Sequence, residues 1–417
     1  MCGIAGFIDF NKKSTTSNIQ SMIEPLNHRG PDGEGTSLLN SKNAIIGFGH
    51  KRLSIIDLSK SGKQPMNYSH LHITYNGEIY NYQEIKNELS ALGHHFKGQS
   101  DTEMILHAYA EWGIKAVERF IGMFAIVLFD EKKQEVIFIR DRAGVKPLFY
   151  YQKNDLILFA SELKSFHEHP EFDKKLNLNA VAAYMQFGNI PTPHCIFKNC
   201  SKIKPGHYLK INLESKSQEE VQFWNVYDFY NKPKLNLSFR EAKIQTKELL
   251  KSAFNYRMVA DVPIGVFLSG GYDSTTVTSL IQADLTPKLK TFTIGVPNIG
   301  LNEAPYARDI AEHLGTDHTE INCSEKEAIE VIKDLPFFYD EPFADSSAIP
   351  TTLVSKAARK DVTVALSADG GDELFCGYSK YFFLHSFQNI FSSNFKKTIL
   401  KTTLSIFSDN SISYIND

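Results

Sequence analysis

A cysteine stands at position 2 of the chain, directly before an apolar run that covers residues 4–8. The run predicts a buried strand, which would hold the start of the chain still. A small residue at position 2 permits removal of the initiator methionine, and Cys2 would then carry a free α-amine. An α-amine with an ordinary pKa of about 7.7–8 can accept the proton of a thiol whose pKa is about 8.5. The first residues therefore predict a cysteine nucleophile that carries its own base.

Composition excludes several classes of protein. Of 417 residues, 42% are hydrophobic and 22% are charged, which is typical of globular chains with two or three domains. The net charge of −3 includes no basic tract, so no nucleic-acid partner is predicted. Five scattered cysteines form neither a disulfide framework nor a paired metal-ligand spacing. Without a signal peptide or an apolar run of membrane-span length, the sequence predicts a cytoplasmic protein with no membrane partner.

The secondary-structure pattern changes along the chain. Up to about residue 151, β-rich runs and turns outnumber helical patterns, which predicts stacked antiparallel sheets with helices packed outside. The two helical patterns lie at 82–92 and 101–112, and Asp101 is the predicted N-cap of the second. From about residue 239, long helical patterns alternate with apolar strands at 262–268, 290–296 and 362–367. This order predicts a doubly wound parallel sheet, with the domain boundary at roughly 200–235.

Polar clusters in the first half lie at turns or strand ends, where catalytic groups often collect. They occupy residues 29–32, 49–55, 75–81 and 100–103. A thiolate that cleaves the side-chain amide of glutamine needs a cation for the α-carboxylate, an anion for the α-ammonium group and donors for the oxyanion. Arg52 can supply the cation and Asp101 the anion. The Asn76 side chain and the Gly77 N–H can supply the donors. Taken singly, Arg52 also fits a surface charge, and Asn76-Gly77 also fits a hairpin turn.

Eight short motifs in the first half occur in a characteristic order. They are MCGIAG, RGPD, GHKRLSI, YNGEIYN, SDTE, GMFA, RDRAGVKPLFY and FASELK. Together they resemble the glutaminase domain of the class II glutamine amidotransferases, which implies an α+β N-terminal-nucleophile hydrolase fold over residues 2–210. The resemblance implies that Cys2 forms a glutamyl thioester and releases ammonia, with Asn76 and Gly77 also catalytic. The residues implied to contact glutamine are Arg52, Leu53, Ser54, Ile55, Ile56, Asn76, Gly77, Glu78 and Asp101.

A second chemical signal occupies residues 262–275, where an apolar strand enters a Ser/Gly loop that opens a helix near Ser274. Such a loop presents backbone N–H groups and a helix N-terminus, so it predicts phosphate binding. It is not a Walker loop, because the lysine of that motif is missing. Residues 366–375 follow another strand and carry three acidic side chains around a glycine pair. These carboxylates suit Mg²⁺ binding or acid–base chemistry, although a solvated acidic turn fits them equally well when they are taken alone.

The loop SGGYDST resembles the pyrophosphate loop of ATP pyrophosphatases. Together with LSADGGDELF it resembles the α/β synthetase domain of the glutamine-hydrolysing asparagine synthetases, here residues 235–417. The resemblance implies ATP as substrate, Mg²⁺ at Asp273 and Asp372, and a catalytic Asp369. The implied ATP contacts are Phe267, Ser269, Gly270, Gly271, Asp273, Ser274, Ile294, Ser367 and Ala368. Residues 340–350 also fit the family, near the acceptor.

The family resemblance implies the activity of a glutamine-hydrolysing asparagine synthetase. Ammonia from the Cys2 site would displace AMP from the adenylated β-carboxylate of aspartate, with glutamine, aspartate and ATP as small-molecule partners. A homodimer stays open. Two alternatives also stay open: amidation of another carboxylate, such as a sugar acid or a peptide or lactam precursor, and a glutaminase with an inactive synthetase half.

Two departures from the family pattern concern the second half. Ala368 stands where the family commonly has glycine. A helix is predicted at 387–407, and the sequence given then ends at Asp417 without the VPFLD-like motif and the catalytic lysine of the family. We therefore expect a synthetase domain that is incomplete at its C-terminus.

Overall fold

The computed structural model describes residues 1–295 and 302–391, with side chains described as far as residue 386. Residue 296 of one predicted strand, residues 392–407 of the last predicted helix and the end of the predicted second domain lie outside the described residues. The described residues form two units, one with two six-stranded antiparallel sheets and one with a four-stranded parallel sheet.

The antiparallel unit contains twelve strands among the described residues. They are β1 (Gly3–Asp9), β2 (Gly33–Asn40), β3 (Ile45–Arg52), β4 (Met66–Tyr68), β5 (Leu71–Ile79), β6 (Gly122–Asp130), β7 (Glu135–Arg140), β8 (Phe149–Lys153), β9 (Leu156–Ala160), β10 (Cys200–Lys202), β11 (His207–Asn212) and β12 (Gln218–Gln222). Its α-helices are α1 (Thr16–Ile23), α2 (Tyr82–Ala91), α3 (Asp101–Trp112) and α4 (Leu178–Phe187). Short 3₁₀ helices cover Glu24–Leu26, Lys60–Gly62, Gly113–Arg119 and Leu163–Glu168.

The elements of the second unit follow a short helix, α5 (Val226–Tyr230). They are α6 (Phe239–Arg257), β13 (Ile264–Phe267), α7 (Tyr272–Gln282), β14 (Lys290–Gly295), α8 (Ala304–Leu314), β15 (Asp317–Asn322), α9 (Glu325–Phe338), α10 (Ala348–Ala358), β16 (Val364–Leu366), α11 (Gly371–Phe375) and α12 (Ser379–Phe391).

The two antiparallel sheets stack between layers of helix, as predicted. One sheet has the order β10-β8-β9-β1-β3-β2 and the other β12-β11-β7-β6-β5-β4. Successive side chains of a strand point to opposite faces. Accordingly, Ile4 and Ile8 of β1 pack between the sheets, whereas Ala5 and Phe7 pack against α1. Because both faces of β1 are covered, the whole strand is buried, and the residue before it is held in place.

The second unit is a doubly wound parallel sheet with the order β15-β14-β13-β16. Helices cover both faces: Val266 packs with α6 and α7 on one side, and Phe292 packs with α10 on the other. The chain leaves β13 toward β14 and returns to the other side of β13 as β16. In such sheets, ligands bind outside the carboxyl ends of the strands where the order reverses, and that point lies here between β13 and β16.

Several expectations about individual elements can be compared with the structure. The helices predicted at 82–92 and 101–112 are present as α2 and α3. The hairpin alternative for Asn76-Gly77 is wrong, because both residues lie inside β5 and pair with β6. β12 continues its sheet to Gln222, beyond residue 210, the predicted end of the first domain. No helix in the described part of the chain is long and apolar enough to cross a membrane.

Candidate active sites

The Cys2 thiol lies against the segment that follows β3. Cys2 precedes β1, which pairs along its full length with β3 and so brings the start of the chain beside Leu53. The Leu53 N–H donates to the Cys2 Sγ at 3.4 Å, and the thiol can donate to the Leu53 carbonyl at 3.5 Å. On the other side, the Arg29 Nε donates to the Cys2 carbonyl at 2.9 Å. The cysteine main chain is therefore fixed, and its thiol points toward the segment after β3.

A cavity of about 30 Å³, the cysteine cavity, adjoins this thiol. The predicted residues that line it are Cys2, Arg52, Leu53, Ile55, Ile56, Gly77, Glu78 and Asp101. Ser54 does not line it, since its N–H donates to the Asp32 carboxylate at 2.8 Å. Asn76 does not line it either: it is buried, and its Nδ2 has no partner among the described residues. The volume holds about two waters, so glutamine enters only if part of the wall moves.

The two charged groups predicted to bind glutamine are both hydrogen-bonded to other groups of the protein. The Arg52 guanidinium donates to the carbonyl of Ser59 at 2.9 Å and to that of Asp57. Asp101 accepts hydrogen bonds from the Tyr75 hydroxyl at 2.8 Å and the Ile79 N–H at 3.1 Å. Burial nevertheless raises the pKa of Asp101 to about 6, because the charged carboxylate has lost its water. A substrate ammonium group would stabilise the ionised form.

One detail of this helix differs from the prediction. Asp101 is the first residue of α3 and not its N-cap; the cap is Ser100, whose hydroxyl accepts from the Glu103 N–H at 3.3 Å. The difference matters for the site because the side chain of Asp101 is left free of capping and accepts from Tyr75 and Ile79 instead.

Burial also sets the protonation of the groups around the thiol. It raises the pKa of the Cys2 thiol, and the Leu53 N–H offsets only part of this effect. It lowers the pKa of the Met1 α-amine to about 5, so an amine in these surroundings is uncharged at neutral pH. Burial and the neighbouring Asp101 raise the pKa of Glu78 well above its usual range. At neutral pH the thiol is therefore protonated, so attack by its sulfur requires a base.

Three residues that support the site were missed by sequence reasoning. Tyr75 positions Asp101, and Gln64 accepts from the Tyr75 N–H at 2.7 Å while donating to the Thr102 hydroxyl at 3.1 Å. Asp57 accepts from the Gln99 N–H at 3.0 Å. The only local signal was Asp57-Leu-Ser, an aspartate placed to accept from the N–H two residues later, as it does from Ser59.

A second cavity, the sheet-edge cavity, lies at the carboxyl ends of β13, β14 and β16 and has a volume of about 690 Å³. It is lined by every predicted ATP contact except Gly270: Phe267, Ser269, Gly271, Asp273, Ser274, Ile294, Ser367 and Ala368. Gly270 has φ +88°, and a Cβ there would lie 2.9 Å from Tyr306, so the position requires glycine. Helix α7 begins at Tyr272, two residues before the predicted start, and its N-terminus faces this cavity.

Four carboxylates line the sheet-edge cavity, namely those of Glu303 and of the three aspartates Asp273, Asp369 and Asp372. Asp273 lies in the first turn of α7 and Asp372 in the first turn of α11, and the Asp273 carboxylate packs directly against Gly371. Asp369 accepts from the Ser367 hydroxyl at 2.7 Å. The described residues include no group of three or more His, Cys, Asp or Glu side chains that could hold a metal unaided. One or two carboxylates completed by substrate phosphates are what Mg²⁺ usually takes, so Asp273 and Asp372 fit an ion that arrives with a nucleotide.

A third cavity of about 440 Å³, the junction cavity, lies between the two units. Leu53 lines both this cavity and the cysteine cavity. Phe267 lines both this cavity and the sheet-edge cavity. The remaining wall includes Arg29 from the first unit and Arg359 from the second. The three cavities therefore follow one another from the cysteine to the Ser/Gly loop after β13.

A cysteine at the start of a two-sheet sandwich, joined to a Ser/Gly phosphate loop on a parallel sheet, defines a glutamine-dependent amidotransferase with a synthetase unit. Comparison with known families agrees. A glutamine amidotransferase domain matches residues 1–224, and an asparagine synthase domain matches residues 245–408. The chain belongs to the glutamine-hydrolysing asparagine synthetase family, whose members are carbon–nitrogen ligases that use glutamine.

Individual relatives support this assignment. The chain is 41% identical over 401 residues to a putative asparagine synthetase [glutamine-hydrolyzing] 2 of Methanocaldococcus jannaschii, covering 91% of this chain and 76% of the relative. It is 35% identical to asparagine synthetase [glutamine-hydrolyzing] 1 of Bacillus subtilis, covering 91% of this chain but only 59% of the relative. A solved glutamine phosphoribosylpyrophosphate amidotransferase from B. subtilis is 14% identical, with 78% and 91% of the two chains covered. Its TM-score of 0.42 is too low to support any argument.

Proposed function

We propose that the chain is a glutamine-hydrolysing asparagine synthetase that converts aspartate, glutamine and ATP into asparagine, glutamate, AMP and pyrophosphate. The observation that carries this proposal is the succession of cavities from Cys2 through the junction to the Ser/Gly loop. The two ends offer different chemistry: a thiol beside Arg52 and Asp101 lies at one, and a Ser/Gly loop with carboxylates lies at the other. Each pair of neighbouring cavities shares a wall residue. This arrangement supports a reaction in which ammonia released at the cysteine site is used at the sheet-edge cavity.

The first half-reaction is hydrolysis of the glutamine side chain. After removal of Met1, the α-amine of Cys2 takes the thiol proton, and the Sγ attacks the amide carbon. The Gly77 N–H, from a residue that lines the cavity, donates to the oxyanion, and the unpaired Asn76 Nδ2 joins it only once the wall has moved, because Asn76 lies outside that lining. The protonated α-amine then gives the thiol proton to the amide nitrogen, ammonia leaves, and water hydrolyses the thioester to glutamate. Arg52 and Asp101 hold the α-carboxylate and the α-ammonium group of the substrate during these steps.

The second half-reaction is adenylation at the sheet-edge cavity. The β-carboxylate of aspartate attacks the α-phosphorus of ATP, and pyrophosphate leaves while the backbone N–H groups at the start of α7 hold it. Mg²⁺ bound by Asp273 and Asp372 would neutralise part of the phosphate charge. Ammonia then attacks the activated carbonyl, AMP departs, and Asp369 is placed in the cavity to accept the released proton.

The acid limb of the pH profile tests the role of Asp101. Only the ionised carboxylate attracts the substrate ammonium group, and its pKa in the free site is about 6. Lowering the pH through 6 therefore protonates Asp101, and kcat/KM for glutamine should fall about tenfold per pH unit below this value. The measurement is glutamate release between pH 5 and 8 at low glutamine concentration.

A Tyr75→Phe variant identifies the group responsible for this limb. The Tyr75 hydroxyl donates to the Asp101 carboxylate at 2.8 Å and lowers the pKa of Asp101, so its loss should move the limb to higher pH. Titration of the Cys2 α-amine would produce a limb that this substitution leaves in place. A limb near pH 4, or one that Tyr75→Phe does not move, would contradict the assignment of Asp101.

Aspartate dependence tests the whole proposal. We expect Mg-ATP to yield pyrophosphate when aspartate and ammonium are present without glutamine, and to yield little when aspartate is omitted, because adenylation needs the acceptor carboxylate. Pyrophosphate release is measured with a panel of other carboxylates as the control. Faster pyrophosphate release with a sugar acid or a peptide carboxylate would show that this carboxylate, and not aspartate, is the acceptor. Glutamate production from glutamine, with no pyrophosphate released for any carboxylate, would show that the chain acts only as a glutaminase.

A further inference from the structure

One wall of the cysteine cavity is a short segment, residues 52–57 (the 52–57 loop), that turns sharply at its end. Arg52, Ile55 and Ile56 of this loop line the cavity. Asp57 has φ +56°, in the left-handed region that residues with a side chain rarely adopt. Such a turn persists only where neighbouring groups hold it, so the hydrogen bonds at Asp57 decide where this wall lies.

Asp57 connects both charged groups of the glutamine site. Its carbonyl accepts from the Arg52 guanidinium, and its carboxylate accepts from the Gln99 N–H at 3.0 Å, two residues before Asp101. The Ser59 and Ser61 side chains also donate to this carboxylate. A displacement of Asp57 would therefore move the cation and the start of the anion-bearing helix together.

The remaining support for this turn comes from the other unit. The Asp261 carboxylate accepts from the Asp57 N–H at 2.9 Å, and the Asp261 N–H donates to the Ile55 carbonyl at 2.9 Å. These two bonds join the 52–57 loop to a residue 204 positions away in the sequence. Asp261 lies between α6 and β13, only three residues before the strand that ends at the phosphate loop.

We propose that Asp261 is a positioning residue for glutamine, contributed to the glutaminase site by the synthetase unit. It holds the 52–57 loop in the place where Arg52 and Ile55 form the cavity wall. This inference rests on the proposed glutamine site at Cys2. It does not depend on which carboxylate the synthetase unit amidates. The antiparallel unit therefore does not form the whole glutamine pocket by itself. The carboxylate that accepts from the Asp57 N–H belongs to the parallel-sheet unit.

Substitution of Asp261 tests this inference through glutamine affinity. Asp261→Ala removes the acceptor for the Asp57 N–H, and we expect KM for glutamine to rise about fivefold while kcat changes less than about twofold. Asp261→Asn keeps an acceptor oxygen and should restore most of the affinity. Glutamate release is measured without aspartate and ATP. Calorimetric titration with glutamine in the Cys2→Ala background measures the same affinity without turnover.

Tyr256→Phe is the matched control. The Tyr256 hydroxyl donates to Glu84 at 2.7 Å across the same pair of units, and both this contact and Asp261 are exposed. This substitution removes one hydrogen bond between the units without touching the 52–57 loop, so glutamine affinity should stay within about twofold of the wild type.

Three results would overturn the inference: unchanged affinity in Asp261→Ala, a loss in Asp261→Asn as large as in Asp261→Ala, or an equal loss in Tyr256→Phe. The last would indicate general loosening of the two units. Failure of the proposed function would look different, because it would abolish aspartate-dependent pyrophosphate release. Glutamine binding, and the order of the variants in it, would remain measurable.

Discussion

Replacing Cys2 with alanine is expected to abolish glutamate release from glutamine and to leave ammonia-dependent synthesis within about twofold of the wild type. Removal of a nucleophile typically costs about 10⁴-fold or more, because the covalent route is lost completely. The sheet-edge cavity contains no part of Cys2, so adenylation should proceed with external ammonia. Glutamate and pyrophosphate are measured in parallel, with glutamine or ammonium as nitrogen source.

Cys200→Ala provides the matched control for this substitution. Cys200 is a free, buried cysteine at the edge of the same sheet, and it lines none of the three cavities. Its replacement should leave both activities in place. Glutamine hydrolysis that survives Cys2→Ala would show that the N-terminal thiol is not the nucleophile.

Replacing Asp273 with asparagine is expected to lower pyrophosphate release about 100-fold and to leave glutamate release unchanged. The substitution keeps the size of the side chain but removes a negative charge beside the phosphate loop, where it would bind Mg²⁺. Asp284→Asn is the control: Asp284 lies just beyond the end of α7, pairs with Lys251 at 2.8 Å and is outside the cavity. An equal fall in both activities in Asp273→Asn would contradict the division into two sites.

The elements that local sequence determines were predictable. Helix α3 is predicted at 101–112 and found there, because apolar residues at helical spacing follow a polar start. Its cap was assigned one residue too late, since Ser100 and Asp101 are both good capping residues and local sequence does not choose between them. The strand–loop–helix order around the Ser/Gly loop was predictable for a similar reason: an apolar run, a glycine pair and a helical pattern follow one another without a break.

The features that depend on distant contacts were not predictable. Asn76 and Gly77 fit a tight turn locally, yet pairing with Ala125 and Phe124 of β6 keeps them extended inside β5. The link from Asp261 to the 52–57 loop joins segments with no shared pattern, because two isolated hydrogen bonds leave no periodic trace in either. Gln64 is a comparable case: its role is set by Tyr75 and Thr102, and nothing in its own neighbourhood marks it.

The charged side chains on the wall of the junction cavity affect whether ammonia or the ammonium ion is favoured there. Arg29, Lys356 and Arg359 all line this space; burial is the largest cause of the lowered pKa of the nearby Met1 amine, and Arg29 and Arg359 lower it further. A field that disfavours a protonated amine disfavours an ammonium ion for the same reason. In the proposed reaction, where ammonia crosses this space, such a wall would favour the uncharged nucleophile, which has the lone pair needed for attack, over its protonated form.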